Sequence, residues 1–192
     1  MPASRASPRA EEEGRSEGTA RRVRLFIATS LDGYIAGRGD DLGWLFDDGD
    51  YGHAAFYAGI DTVLVGRRTY EVARAFPEWP YAGRNVVVFT RGGDARITSP
   101  NTVATARSPI DVVKELRARN GKDLWLVGGG ALVASFMEAD LIDDVIVSIH
   151  PLLLGDGIPL VAHGTRRTPL TLVGERRFPS GLMQLSYRAD RG

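Results

Sequence analysis

The sequence predicts an α/β fold with a mainly parallel central sheet and an antiparallel hairpin at its C-terminal edge. Short apolar runs that fit buried strands alternate with segments of helical periodicity along most of the chain. One of these runs, Leu124 to Val127, leads through three glycines directly into a helical pattern. Near the C-terminus, two strand-like runs flank Pro179-Ser180-Gly181, which is typical of a hairpin turn.

A polar tail is expected before the domain. Residues 1–22 contain Ala, Ser, Pro, Arg and a run of glutamates, with almost no large apolar side chains. Because such a segment cannot offset the entropy lost on ordering, we expect it to be disordered. The remaining residues, 23–190, are enough for one domain with a single substantial core.

The parallel strands are predicted from short apolar runs bounded by polar or turn-forming residues. These runs cover residues 24–30, 61–65, 85–89, 124–127 and 141–149. A long loop rich in Gly and Asp, residues 31–46, follows the first strand, and loops in this position often carry function. The two hairpin strands are predicted over residues 170–178 and 182–188.

Helices are predicted between these strands. A short helix covers residues 50–59, and a second begins at Gly66. A third has Ser108 as its N-cap, followed by a proline at its first position. The fourth begins at about Gly130, where apolar residues start to recur at helical spacing.

Composition limits the chemistry that this chain can perform. It has 192 residues, 43% of them hydrophobic, and its formal net charge of zero does not favour an extended surface for nucleic acid or an anionic membrane. The chain has no cysteines, so thiol catalysis and disulfides are excluded, and its three separated histidines do not predict a metal site. No apolar run has the length of a membrane span or a signal-peptide core, so we expect a cytoplasmic protein.

Positively charged and glycine-rich segments follow three of the predicted parallel strands. They are Gly66-Arg67-Arg68-Thr69, Thr90-Arg91 and Gly128-Gly129-Gly130. Because the carboxyl ends of parallel strands lie at one edge of a sheet, these segments should lie close together. Arginine side chains and the free N–H groups at a helix start both bind phosphate groups. We therefore predict a site for a ligand with several phosphates; the alternatives are a strand-to-helix turn without a ligand and ordinary surface arginines.

A second site is predicted between the loop 31–46 and the helix after it. Its acidic residues are Asp32, Asp47, Asp48 and Asp50. A carboxylate in a half-buried cleft can orient a pyrimidine-like ring and relay a proton. The same acids are also suited to turns and helix caps, which is the better interpretation for all of them except Asp50. Trp44 is expected in the core or at the wall of this cleft.

Several motifs, in the order and spacing found here, resemble those of the dihydrofolate reductase superfamily. They are Ile27-Ala28, Ile35-Ala36, Leu42-Gly43-Trp44, Val-Leu-Val-Gly-Arg-Arg-Thr-Tyr at 63–70, Gly-Arg-Asn-Val-Val-Val-Phe-Thr-Arg at 83–91 and Val-Gly-Gly-Gly-Ala-Leu at 127–132. Within the superfamily, residues 30–36 and 149–157 look more like the riboflavin-biosynthesis reductase domain, the RibD C-terminal domain, and its small stand-alone relatives. The resemblance implies a three-layer reductase domain over residues 23–190.

NADPH is the cofactor that this resemblance implies. The residues expected to bind it are Ala28, Ile35, Gly66, Arg67, Arg68, Thr69, Thr90, Arg91, Gly128, Gly129, Gly130 and Ala131. Among them, Arg67 and Arg91 would lie near the 2′-phosphate that distinguishes NADPH from NADH. The glycines would hold the pyrophosphate, and Ala28 and Ile35 would bracket the nicotinamide.

The resemblance also implies residues on the substrate side. Asp50 falls where dihydrofolate reductases place the carboxylate that binds the pterin, and Ser148 falls where a hydroxyl residue supports it. Asp32 and Trp44 complete the predicted substrate contacts. Counting forward from Trp44 places Gly49 at the position of the carboxylate instead, and the Leu-Pro-x-Asp helix opening is missing. Asp50 is the candidate for proton supply, with water as the alternative.

These observations predict an NADPH-dependent reductase that transfers hydride to a small pyrimidine- or pteridine-like substrate, such as 5-amino-6-ribosylaminouracil phosphate of riboflavin biosynthesis. The alternatives are an authentic dihydrofolate reductase and a non-catalytic nucleotide-binding protein. The resemblance also implies a homodimer, joined through the C-terminal strands. Neither nucleic acid nor a membrane is expected as a partner.

Overall fold

The computed structural model describes residues 20–92, 96–162 and 165–190. The strands in these ranges are β1 Val23–Ser30, β2 Tyr34–Ala36, β3 Ile60–Gly66, β4 Asn85–Phe89, β5 Thr102–Thr105, β6 Asp123–Gly128, β7 Asp144–His150, β8 Ile158–Pro159, β9 Leu170–Arg177 and β10 Met183–Ala189. The α-helices are α1 His53–Ala58, α2 Arg67–Ala73, α3 Pro109–Arg117 and α4 Gly130–Glu138.

Most of the strands form one sheet, in the order β5-β4-β3-β6-β1-β7-β10-β9. In this order, every adjacent pair of strands from β5 through β4, β3, β6 and β1 to β7 is parallel. The strand β10 pairs antiparallel with both β7 and β9. The central strand β3 is apolar almost throughout, and Val63, Leu64 and Val65 have no exposed surface. This is the pattern of a parallel strand covered on both faces. The predicted α/β fold with an antiparallel C-terminal hairpin is confirmed.

Helices cover both faces of the sheet and make three layers. Successive residues of β6 show this, because Leu124 and Leu126 pack in one hydrophobic cluster and Trp125 packs in another. The first cluster includes residues of α3 and α4, such as Phe136. The second includes residues of α1 and α2, such as Phe56. Each helix therefore buries its apolar side against one face of the sheet.

Three strands were not predicted from the sequence. The edge strand β5 has the residues Thr-Val-Ala-Thr, partly or largely exposed, so it lacks the apolar signal of a buried strand. The strands β2 and β8 pair only with each other in a small separate sheet and are too short to show a periodicity. By contrast, the predicted cap of α3 is confirmed, since the Asp111 N–H donates to the Ser108 hydroxyl at 3.1 Å.

Folded contacts begin before Val23, within the segment expected to be a tail. The guanidinium of Arg21 is buried, donates to the Lys122 carbonyl at 2.6 Å and pairs with Asp61. Arg22 pairs with Asp144 at 2.5 Å. The first nineteen residues of the predicted tail lie outside the described ranges. No helix within the described ranges has the length and apolar character needed to cross a membrane.

Candidate functional site

A cleft of about 950 Å³ opens at the carboxyl ends of the parallel strands. Its walls include the ends of β1, β3, β4, β5 and β6 and the first residues of α2 and α4. Ligands bind at this edge in open parallel sheets, and the volume is in the range of sites that enclose small molecules. The cleft has two ends with different chemistry, one with arginines and backbone N–H groups and one with aromatic rings.

The glycine turn between β6 and α4 lies in the wall of the cleft. Gly128 has a positive φ of 111°, and the peptide bond between Gly128 and Gly129 is cis. A Cβ on Gly129 would lie 3.3 Å from the Thr69 hydroxyl, and one on Gly130 would lie 2.4 Å from the Pro159 carbonyl oxygen. The turn therefore passes close to two other segments, and larger residues would not fit without movement.

Arginine side chains gather at the end of the cleft near β3, β4 and β5. The arginines of the lining are Arg67, Arg68, Arg91 and Arg107. Arg68 pairs with Asp40 at 2.8 Å, Arg67 with Glu71 at 2.8 Å and Arg107 with Glu115 at 2.5 Å. Since these pairs are largely exposed, they contribute little stability, and a phosphate can replace the carboxylates at small cost. We name this region the arginine end.

The other end of the cleft is built from aromatic side chains. Its rings belong to Phe26, His53, Phe76, Tyr81 and Trp125, all in the lining. Tyr81 contacts Trp125 edge-to-face at 5.6 Å between ring centroids, and His53 contacts Trp125 at the same distance. Burial raises the pKa of the Tyr81 phenol, so this group is neutral at physiological pH. We name this region the aromatic end; its rings suit a flat, apolar ligand.

Most residues predicted to bind the cofactor line the cleft together. They are Ala28, Ile35, Gly66, Arg67, Arg68, Thr69, Thr90, Arg91, Gly129, Gly130 and Ala131. Gly128 is buried and is not part of the lining. Gly130 and Ala131 are the first two residues of α4, and helix geometry leaves the backbone N–H groups of these first residues without a partner in the helix.

Asp50, the residue predicted to supply a proton, is exposed and does not line the cleft. Its carboxylate oxygens accept hydrogen bonds from the N–H groups of Ala54 at 2.7 Å and Gly52 at 3.1 Å. The N-cap position of α1 is Gly52, so the Asp50 carboxylate caps the helix start from two residues before it. The structure thus gives Asp50 a capping position and does not bring it together with the cofactor residues.

Asp32 also lies outside the lining. It accepts hydrogen bonds from the Ser30 hydroxyl at 2.6 Å and from the N–H groups of Leu154 and Gly155 at 3.1 and 2.7 Å. The hydrogen bond from Ser30 is the main cause that lowers the pKa of Asp32 to about 2. Asp32 therefore ties the turn after β1 to the loop after β7.

Trp44 and Ser148 have structural contacts beside the cleft rather than in its lining. The Trp44 indole N–H donates to the Asp41 carbonyl at 3.1 Å, and its ring packs edge-on against His150. The buried Ser148 hydroxyl accepts from the Gln184 amide at 3.0 Å. None of the predicted substrate residues is therefore part of the described lining of this cleft.

Sequence reasoning missed the residues that form the aromatic end, and also Arg107. Trp125 and Phe26 lie in buried strands, so their pattern indicates core alone. Arg107 directly follows β5, the edge strand without a sequence signal. His53 is the first residue of α1, and its position after the acidic loop was the one available signal.

Comparisons with known proteins agree with this geometry. Residues 21–183 match the model of the RibD C-terminal domain family. The uncharacterized protein YwjB of Bacillus subtilis is 37% identical over 175 residues, which cover 87% of this chain and 97% of that protein.

Two solved structures have a similar fold. A putative riboflavin biosynthesis protein from Shewanella sp. PV-4 superposes with a TM-score of 0.77 at 27% identity, covering 88% of this chain and 99% of that one. A dihydrofolate reductase from Enterococcus faecalis, complexed with NADP(H), superposes with a TM-score of 0.65 at 13% identity, covering 88% of this chain and 97% of that one. At that identity the second match shows a common fold only, and it confirms the predicted three-layer architecture.

Proposed function

This chain belongs to the RibD C-terminal domain family, and from that premise we propose that it uses NADPH to reduce a small pyrimidine- or pteridine-like substrate. The observation that carries the proposal is the division of one cleft into an arginine end and an aromatic end. The phosphates of NADPH suit the arginine end, and the flat ring of an acceptor substrate suits the aromatic end. The similarity to a putative riboflavin biosynthesis protein supports 5-amino-6-ribosylaminouracil phosphate as the first substrate to test.

The arginine end fits the phosphates of NADPH. Gly129 has no side chain where the glycine turn approaches Thr69, which leaves backbone N–H groups accessible at the start of α4. Arg67 and Arg91 are assigned to the 2′-phosphate, because a guanidinium remains charged and donates two parallel hydrogen bonds. Ala28 and Ile35, in the same lining, are assigned to the nicotinamide. When bound, NADPH supplies the hydride, and the chain supplies orientation and charge.

The aromatic end is assigned to the acceptor substrate. Asp40 is the one carboxylate among the described residues of the lining, and it pairs with Arg68 at the arginine end. Asp50 caps α1 with both of its oxygens. No acid in this lining is therefore positioned to bind a pterin as the resemblance to dihydrofolate reductases implied, so we favour the pyrimidine substrate over dihydrofolate.

The test of the cofactor is a calorimetric titration of the purified protein with NADPH and with NADH at the same salt concentration. We expect clear preference for NADPH in the wild type. In the double variant Arg67→Ala/Arg91→Ala the affinity for NADPH should fall by at least about 100-fold, because each charge-assisted hydrogen bond contributes roughly 1.5–3 kcal/mol. NADH should lose much less.

The exposed Arg188 on β10, outside the lining, provides the control variant Arg188→Ala. Equal losses for NADPH and NADH would contradict the 2′-phosphate assignment. Absence of binding by the wild type would remove the reductase proposal altogether.

A homodimer through the C-terminal strands is also proposed. The edge strand β9 exposes Leu170, Leu172 and Val173, whose exposed fractions are 41%, 50% and 53%. Apolar side chains on an unpaired edge favour association, and a second copy of the chain would cover them. Analytical ultracentrifugation should give the mass of two chains for the wild type and of one chain for Leu172→Glu/Val173→Glu. A monomeric wild type would contradict this proposal.

A further inference from the structure

His53 is placed at the aromatic end with its ring held on several sides. The ring stacks on Tyr57 at 5.4 Å and contacts Phe26 at 6.0 Å and Trp125 at 5.6 Å. It remains partly exposed and lines the cleft. None of the described residues makes a hydrogen bond to either ring nitrogen, so the polar atoms of this ring are free to meet a ligand.

The position of His53 relative to β1 brings it toward the reacting region. Phe26, its neighbour, and Ala28 are two residues apart on β1, so their side chains lie on the same face of the strand. Ala28 is one of the residues assigned to the nicotinamide, and both residues line the same cleft as His53. A substrate ring at the aromatic end would therefore lie between the histidine and the cofactor site.

Few other groups in the cleft can exchange a proton near neutral pH. The arginines stay charged, and Asp40 is paired with Arg68. The phenol of Tyr81 has its pKa raised by burial. Within the described lining, His53 is the one histidine, and an imidazole is the side chain that most often serves as a general acid.

The groups around His53 are mostly uncharged. Tyr57, beneath the ring, has a pKa raised by burial and lies under the guanidinium of Arg84, 4.0 Å from its centroid. Trp125 and Phe26 carry no titratable group, and Tyr81 contacts Trp125. Asp50 is a charged group at the start of α1: its carbonyl accepts the His53 N–H at 2.9 Å, and its carboxylate accepts the N–H groups of Gly52 and Ala54 on either side of His53.

We propose that His53 contacts the acceptor substrate and donates the proton that accompanies hydride transfer. The inference rests on the proposed function. The carbon of a C=N or C=O bond in the substrate gains the hydride, and the electron pair of that bond moves to the nitrogen or oxygen. That atom takes a proton from the imidazolium of His53, NADPH ends as NADP⁺, and neutral His53 regains a proton from water. This assignment gives the role of proton donor to His53 and not to Asp50, which was predicted for it from the sequence.

His150 provides a comparison within the same chain. It is buried, its Nε2 accepts the Phe46 N–H at 3.3 Å, and its Nδ1 lies 3.3 Å from the Ser148 carbonyl. Burial lowers the pKa of this imidazole. It does not line the cleft, so a ligand in the cleft should leave its resonances unchanged.

The first test compares the kinetics of His53→Gln with those of the wild type, with NADPH and 5-amino-6-ribosylaminouracil phosphate. We expect kcat to fall about 100-fold, the low end of general-acid effects, and the decline of kcat above the pKa of the acid to disappear. The NADPH dissociation constant should not change. The control is Ala55→Gln, an exposed position on α1 outside the lining, with wild-type kcat expected. A His53→Gln variant with wild-type kcat and pH profile would overturn the inference.

The second test does not depend on turnover. The ring signals of His53 in ¹⁵N-histidine-labelled protein are assigned by their absence in His53→Gln and followed during titration with uridine 5′-phosphate, a soluble pyrimidine probe. We expect the His53 signals to move and the His150 signals to stay. Unmoved His53 signals would overturn the substrate contact. If NADPH does not bind but these signals move, the reductase proposal fails and the contact of His53 with a pyrimidine stands.

Discussion

The two ends of the cleft recognise their ligands by different physical means. At the arginine end, the side chains of Arg67 and Arg68 are 57% and 67% exposed and pair with the carboxylates of Glu71 and Asp40. At the aromatic end, Trp125 and Tyr81 are 8% and 5% exposed and are packed against each other. Exposed charged side chains can reorient to bind a phosphate, whereas a flat ring binds best to a surface that is already formed.

Because of this difference, substitutions at the two ends should have separate effects on ligand binding and on stability. Exposed arginines contribute little to folding, so their removal should change binding alone. Buried rings also belong to the hydrophobic cluster on one face of the sheet, so only the most exposed ring of the aromatic end can be removed without affecting stability. Gly130 of the turn is different again, because the backbone carbonyls of Pro159 and Leu160 lie beside it.

The largest expected effect is that of Gly130→Ala. A Cβ at this position would lie 2.4 Å from the Pro159 carbonyl oxygen, so the start of α4 or the loop at β8 must move. Alanine normally favours a helix over glycine, but overpacking of this kind costs about 1–3 kcal/mol. We expect a lower Tm and at least about a 10-fold loss of NADPH affinity, measured by thermal unfolding and calorimetry.

The matched control is Gly174→Ala, where the new Cβ would meet the Ser186 side chain at an ordinary 3.8 Å. It should keep the NADPH affinity of the wild type. Unchanged binding and stability in Gly130→Ala would show that the turn adapts easily and that its glycines are not needed for close approach.

A smaller effect is expected for Phe76→Ala, which tests whether the aromatic end serves the substrate alone. Phe76 lines the cleft and is 49% exposed, so its loss should leave the core intact. Because an aromatic contact contributes about 0.5–1.5 kcal/mol, we expect the KM of the pyrimidine substrate to rise about 2- to 10-fold. The NADPH dissociation constant should stay unchanged.

Ile110→Ala is the control for that substitution, since Ile110 is similarly exposed at 52% but lies outside the lining. Steady-state kinetics and calorimetry of the two variants separate the ends of the cleft. Weaker NADPH binding in Phe76→Ala would contradict the assignment of the aromatic end to the substrate alone.

Local patterns in the sequence predicted the fold and most of the arginines at the arginine end. Apolar runs predicted the buried strands, and the strand order of a parallel sheet then places Gly66, Arg91 and Gly129 at one edge. These residues lie near one another because each is at or just after the end of its own strand. Arg107 was missed because the edge strand before it, β5, is too polar and exposed to be detected.

The aromatic end could not be predicted, because its residues come from separate elements and resemble core residues. Trp125 in β6, Phe26 in β1 and His53 in α1 meet only after β6 and β1 pair and α1 packs over them. In the same way, the sequence did not decide whether Asp50 caps a helix or donates a proton. The hydrogen bonds that its carboxylate accepts from Gly52 and Ala54 assign it to the helix start.

The sequence by itself determined the order of the helices and of the buried strands, the family resemblance and the charges that follow the strands. The tertiary structure decided which of the candidate side chains share one cleft and that His53 is among them. The physical reason is that periodicity and strand ends are properties of neighbouring residues, whereas a site for a flat ring is made by side chains that packing brings together from distant parts of the chain.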